Sequence, residues 1–97
     1  MTNATIDRLG NIAAETAMRA AAEYIRQNNL KVLDYDAATE CLRSWCKIKL
    51  PQAMADAKQA IDAGMGRVAE ATFLASMAQA GIEAAKEFAW PADYQPA

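Results

Sequence analysis

The chain has 97 residues, of which 24 are alanine and none is histidine, with a net charge of −2. That length supports one domain, the missing imidazole removes the commonest general base and metal ligand, and no run approaches the roughly 20 apolar residues of a membrane span. Residues 1–49 carry seven bases and six acids, and residues 50–97 three bases and six acids, so neither half forms a basic stripe suited to nonspecific phosphate binding.

Alanine loses no side-chain entropy in a helix, so its abundance predicts helices, and its small side chain lets their axes approach closely. The first helix is predicted to begin near Asn3 or Thr5, either of which can cap it, and to run to about Asn28. Ile6, Leu9, Ala13, Ala17, Ala20 and Tyr24 recur at helical spacing and form its inward face, widened by Met18, Ala21 and Ile25. Glu15 and Arg19 stand one turn apart in the order that favours an ion pair. The Asn28–Asn29 pair suits the helix end, because asparagine tolerates the left-handed conformation. Leu30 to Tyr35 is expected as a short connection: its Lys-Val-Leu run resembles a strand but has no second strand to pair with.

Asp34 or Asp36 then caps a second helix, whose inward stripe is Ala38, Cys41, Trp45 and Ile48 with Leu42 beside them. Pro51 is predicted to end it, since the residue before a proline is pushed out of the helical region. Pro51 also suits the first turn of a third, short helix carrying Met54, Ala57 and Ile61. Gly64 and Gly66 end that helix; the alternative is one kinked helix through Gly64 over residues 51–89. The last helix is predicted from about Arg67 to Phe88 or Ala89. Val68, Ala71, Ala75, Ala78, Ile82, Ala85 and Ala89 form one apolar seam, and Leu74, Met77, Gly81, Ala84 and Phe88 a second. So wide an apolar face belongs to a helix that is central in its bundle or shared with a second subunit. Residues 90–97 form an irregular tail, punctuated by Pro91 and Pro96, in which Trp90 and Tyr94 are expected to fold back on the bundle.

Little in the chain points to chemistry. Cys41 and Cys46 face directions roughly 140° apart on a helix, so they cannot bridge each other, and without histidine they make no zinc site. Reduced, structural thiols in a cytoplasmic protein are expected. Asp34, Asp36 and Glu40 are explained by helix capping. Glu70 falls within the apolar sector of the last helix, where the dipole of the first turn and Arg67 can hold it. Gly64-Met65-Gly66 lacks the lysine and hydroxyl of a phosphate loop. Nothing at Met1 resembles a signal peptide, and Met1 and the proline-containing end are expected to bound a complete small reading frame. Arg43, Lys47 and Lys49 form a basic stretch without an acid between Cys41 and Leu50. It reads as a helix end complementing its own dipole, as a patch that receives an acidic protein partner, or, least, as a contact for nucleic acid.

These features predict an all-α protein, a single helical domain over residues 1–97 built as a small four-helix bundle, two helices long and two short, in up-down connection. The expected function is non-enzymatic: a helical protein-interaction module that binds a protein partner and self-associates. The candidate partner-binding residues are Arg43, Lys47, Lys49, Trp90 and Tyr94; the candidate dimer residues are Ala71, Leu74, Ala75, Ala78 and Gly81. No catalytic residue, metal or cofactor is expected, and neither nucleic acid nor a membrane is an expected partner. In size, helicity and lack of catalytic groups the chain resembles small phage or mobile-element inhibitors of host complexes, such as anti-CRISPR proteins, which implies inhibition of a host protein complex as an alternative. A further alternative is a helix-turn-helix-like DNA-binding regulator, with its turn near Leu50-Pro51 and Gln52, Asp56 and Gln59 presented by the following helix.

Overall fold

The computed structural model describes residues 2–96. It holds three helices, α1 (Thr2–Gln27), α2 (Tyr35–Asp62) and α3 (Gly66–Phe88), and two short strands, β1 (Leu30–Val32) and β2 (Ala89–Pro91). The class is all-α, and the expected four-helix bundle is corrected to three long helices. The difference lies at Pro51, which sits inside α2 instead of separating two short helices. A proline there removes one backbone hydrogen bond and crowds the preceding turn. Packing on both sides of it outweighs that local cost, since Ala38 before the proline and Ala53 and Ala57 after it are all buried. The turn that a helix-turn-helix reading needs at Leu50-Pro51 is therefore absent. A continuous α2 also moves Ile48, expected inward, to the surface at 67% exposure.

Local chemistry sets the ends of the helices. Asp34 caps α2, its Oδ1 accepting the backbone N–H groups of Asp36 and Ala37 at 3.1 Å each. α2 stops at Gly64, which takes a φ of 82°. The Gly64 and Met65 N–H groups return to the carbonyls of Ile61 and Ala60, both at 2.9 Å, the paired bonds of a Schellman end. The chain thus breaks at Gly64, and residues 51–89 are neither one kinked helix nor a helix pair starting at the proline. At the end of α1, Asn29 takes a φ of 52°, as its residue type allows. α1 begins at Thr2, so Asn3 and Thr5, expected as caps, lie within it.

The connection after α1 is a strand after all. β1 pairs antiparallel with β2 in the register Leu30↔Pro91, Lys31↔Trp90, Val32↔Ala89. Its partner is the start of the tail expected to be irregular, nearly sixty residues further along the chain. Ala92 N–H to Asn29 O at 3.1 Å extends the tie, and the Lys31 ammonium donates to the Tyr94 carbonyl. The ribbon closes the end of the bundle where α1 and α3 finish and α2 begins.

α3 is the central helix. It runs parallel to α1, as the Arg8–Glu70 ion pair at 2.8 Å and the Ala17–Gly81 contact require, and antiparallel to α2. Ala69, Phe73, Met77, Ala80, Gly81, Ala84 and Ala85 of α3 are buried, and the first four meet Leu9 and Ala13 of α1 and Ala53 and Ala57 of α2 in one core. Of the seam expected either to be central or to be shared with a second subunit, Val68, Ala71 and Ala75 are exposed, Ala78, Ile82 and Ala89 are half-buried and Ala85 is buried. With alanine on every side, several helical stripes are equally apolar. Burying Phe73 and Met77 removes the most area from water and settles the rotation of the helix. The molecule measures 54 × 22 × 15 Å, set by helices of about 35–42 Å lying side by side. Among the described residues, no helix is long and apolar enough to cross a membrane.

Candidate interaction surface

A groove between α1 and α3 encloses about 620 Å³. Ile12, Thr16 and Ala20 of α1 and Leu74 and Ala78 of α3 line it, with Glu15, Arg19 and Glu23 along the α1 edge. The Thr16 hydroxyl donates to the Ile12 carbonyl at 2.8 Å, so its polar atom is satisfied within the helix. The rim is ordered by pairs along α1. Arg19 meets Glu15 at 2.7 Å, and Arg26 bonds Glu23, whose carboxyl it holds below the usual carboxylate range.

Of the candidate dimer residues, Leu74 and Ala78 line this groove, and Ala71 and Ala75 are exposed beside them on the same face of α3. Gly81 stands apart: it is buried against the Ala17 backbone of α1. The α1 half of the groove was not legible in the sequence, because Ile12 and Thr16 differ little from other positions flanking the apolar stripe. Their spacing with Ala20 is helical, but only the placement of α3 opens that face.

The basic stretch occupies the middle of α2 and not a helix end, so the helix dipole does not explain it. Arg43 and Lys47 are exposed and Lys49 is half-buried. The charge is less unbroken in space than in sequence, because Arg43 pairs with Glu40 at 2.9 Å. Trp45, half-buried between these residues, donates its indole N–H to Glu87 of α3. Trp90 and Tyr94 are brought together, their rings stacked at 4.6 Å with planes 20° apart, and both remain exposed on the ribbon end. Met18, expected to widen the inward face of α1, is instead 57% exposed, and Leu33 and Tyr35, not singled out in the sequence as surface residues, are exposed as well.

Neither cysteine is activated as a nucleophile. Both cysteines are free. Burial pushes the Cys41 thiol up, helped by the negative charge of Glu87, and burial alone pushes up Cys46. Raised thiols stay protonated and unreactive. Glu70 is held by Arg8 of α1, not by the Arg67 expected from sequence. Among the described residues, no group of three or more acids or cysteines is placed to hold a metal ion. Compared with known proteins, the chain matches no family model, no curated protein and no solved structure.

Proposed function

We propose that the chain is a non-enzymatic protein-interaction module that works through the α1/α3 groove, and that the helix seated there belongs to a second copy of the same chain. The observation that supports this reading is the groove itself, with an apolar floor of Ile12, Ala20, Leu74 and Ala78 continued by exposed Val68, Ala71 and Ala75. Small residues let a second helix approach closely, and a groove beside an apolar ridge is the self-complementary surface that a two-fold dimer uses. The rim charges also suit a second copy. Antiparallel packing of α1 on its copy, with the two-fold axis level with Ala17 or Ala21, sets each Arg19 opposite a Glu15 or Glu23. Two helices about 10 Å wide and about 35 Å long present roughly 700 Å² per copy. The total of roughly 1,400 Å² falls within the range of specific interfaces.

Sedimentation of the wild type and of Ala71→Glu tests this. Residue 71 is exposed, so the variant keeps its helical circular dichroism. A dimer that becomes a monomer on this substitution supports the reading. A wild type that sediments as a monomer at high micromolar concentration refutes it.

A further inference from the structure

A second groove lies on the other side of α3, at the ribbon end, and its chemistry differs from that of the first. Leu33, Asp34, Ala37, Cys41, Glu87, Phe88 and Trp90 enclose about 350 Å³. The walls combine an apolar floor, an aromatic ring and two carboxylates. No base lines it, and among the described residues neither Asp34 nor Glu87 has an ion-pair partner. Asp34 uses one carboxyl oxygen to cap α2; its other oxygen accepts no hydrogen bond among the described residues. Glu87 uses Oε2 for the Trp45 indole, and its carboxylate stands beside the Cys41 thiol. Lys31, opposite Trp90 in the ribbon, directs its ammonium to the Tyr94 carbonyl. Trp90 is held by its stack on Tyr94 and by pairing in β2, so the wall is preorganised.

We propose that this groove receives an arginine side chain of a protein partner. A guanidinium is planar: it packs on an indole by cation–π attraction and presents several N–H donors in a fork that suits carboxylate oxygens. The three-carbon stem of arginine is apolar and covers Leu33, Ala37 and Phe88 while the charge sits at the carboxylates. An ammonium is a compact point charge and uses the flat ring less well. An acidic site on a chain of net charge −2 also attracts a basic segment before contact. The site gives a role to Trp90 and Tyr94 that the basic stretch on α2 does not share, and it does not depend on self-association through the α1/α3 groove.

The test is a titration of the full chain, followed by the two tryptophan indole N–H resonances in ¹⁵N–¹H spectra. N-acetyl-arginine amide is the probe, with N-acetyl-citrulline amide as its neutral isostere. The arginine probe is expected to move the Trp90 resonance saturably in the millimolar range, and citrulline to leave it in place. Asp34→Asn keeps a capping side chain, and Glu87→Gln keeps an acceptor for Trp45, so both variants retain the fold. Each is expected to weaken the arginine probe roughly fivefold or more by removing one charged acceptor. Glu70→Gln, on the α1 side of α3, is expected to change nothing. An unmoved Trp90 resonance, an equal response to citrulline, or unchanged binding in the Asp34→Asn and Glu87→Gln variants overturns the proposal. The sedimentation result for the other groove bears on none of these outcomes.

Discussion

Replacing Gly81 by alanine tests the packing of α3 on α1. In an exposed helix interior this change stabilises by about 0.5–1 kcal/mol, since glycine loses more backbone freedom on folding. At Gly81 a Cβ would lie 1.9 Å from the Ala17 carbonyl oxygen, 2.7 Å from its carbon and 3.0 Å from its Cα. Close C···O contacts in proteins begin at about 3.3 Å, so α1 must retreat by about 1.4 Å, the difference from 1.9 Å. Every atom in the way belongs to backbone, and no side-chain rotation relieves it. Forced overpacking costs about 1–3 kcal/mol and occasionally more. Separating the helices also loosens Leu9, Ala13 and Ala21, buried on the same side of α1. The net expectation is a loss of about 2 kcal/mol. In a domain of this size that lowers Tm by about 8–16 °C. The assay is thermal and urea unfolding followed by circular dichroism, with Gly66→Ala as the control. A Cβ at Gly66 meets nothing within 4 Å, so the control is expected to be neutral or slightly stabilising. A Gly81→Ala protein as stable as the wild type would refute the close approach of α3 to α1.

Pro51→Ala is expected to stabilise by about 2 kcal/mol, because alanine is about 3 kcal/mol better in a helix interior and the proline's restriction of the unfolded chain returns up to about 1 kcal/mol. Urea unfolding reads this directly, and destabilisation would mean that α2 does not continue through residue 51. Gly64→Ala has open space but a φ of 82°, so a loss of about 1–2 kcal/mol is expected from backbone strain alone; a neutral result in the same assay would place the end of α2 elsewhere. Cys41 and Cys46 have raised folded-state pKa values, so the folded chain holds their protons more tightly than the unfolded chain. Their contribution is fully present below the ordinary thiol value and is lost as pH rises through the folded values. Stability is therefore expected to fall above about pH 9, less steeply in a Cys41→Ala, Cys46→Ala variant; equal slopes in the two proteins would contradict the burial of the thiols. At pH 8, alkylation of both thiols is expected to be slower in the folded chain than in urea.

The amino-acid sequence alone determined the helical class, an aspartate cap at Asp34 or Asp36, the end of α1 at Asn28-Asn29 and the pairing of Glu15 with Arg19. Each depends on residues within one or two turns of one another, where backbone propensity and side-chain reach decide the outcome. Where partners are distant in the chain, local chemistry misleads. Pro51 carries a strong helix-breaking signal, overridden because Ala38, Ala53 and Ala57 all bury on one side of a continuous α2. Leu30–Val32, which takes in the first two residues of the Lys-Val-Leu run, becomes a strand only because α3 returns Ala89–Pro91 to its side. The rotation of α3 was undetermined for a different reason. Alanine on all sides leaves several apolar stripes of nearly equal value, and only the sockets offered to Phe73 and Met77 by α1 and α2 choose among them. That choice buried Gly81, exposed Ala71 and Ala75, and opened the α1/α3 groove. Trp90 and Tyr94 were visible as candidates from their residue types, but the groove at Asp34 and Glu87 depends on the distant ribbon that brings Trp90 beside the start of α2. Contacts within a helix follow from sequence spacing, whereas surfaces between helices follow from which faces the core leaves uncovered, and that is decided by the packing of the whole chain.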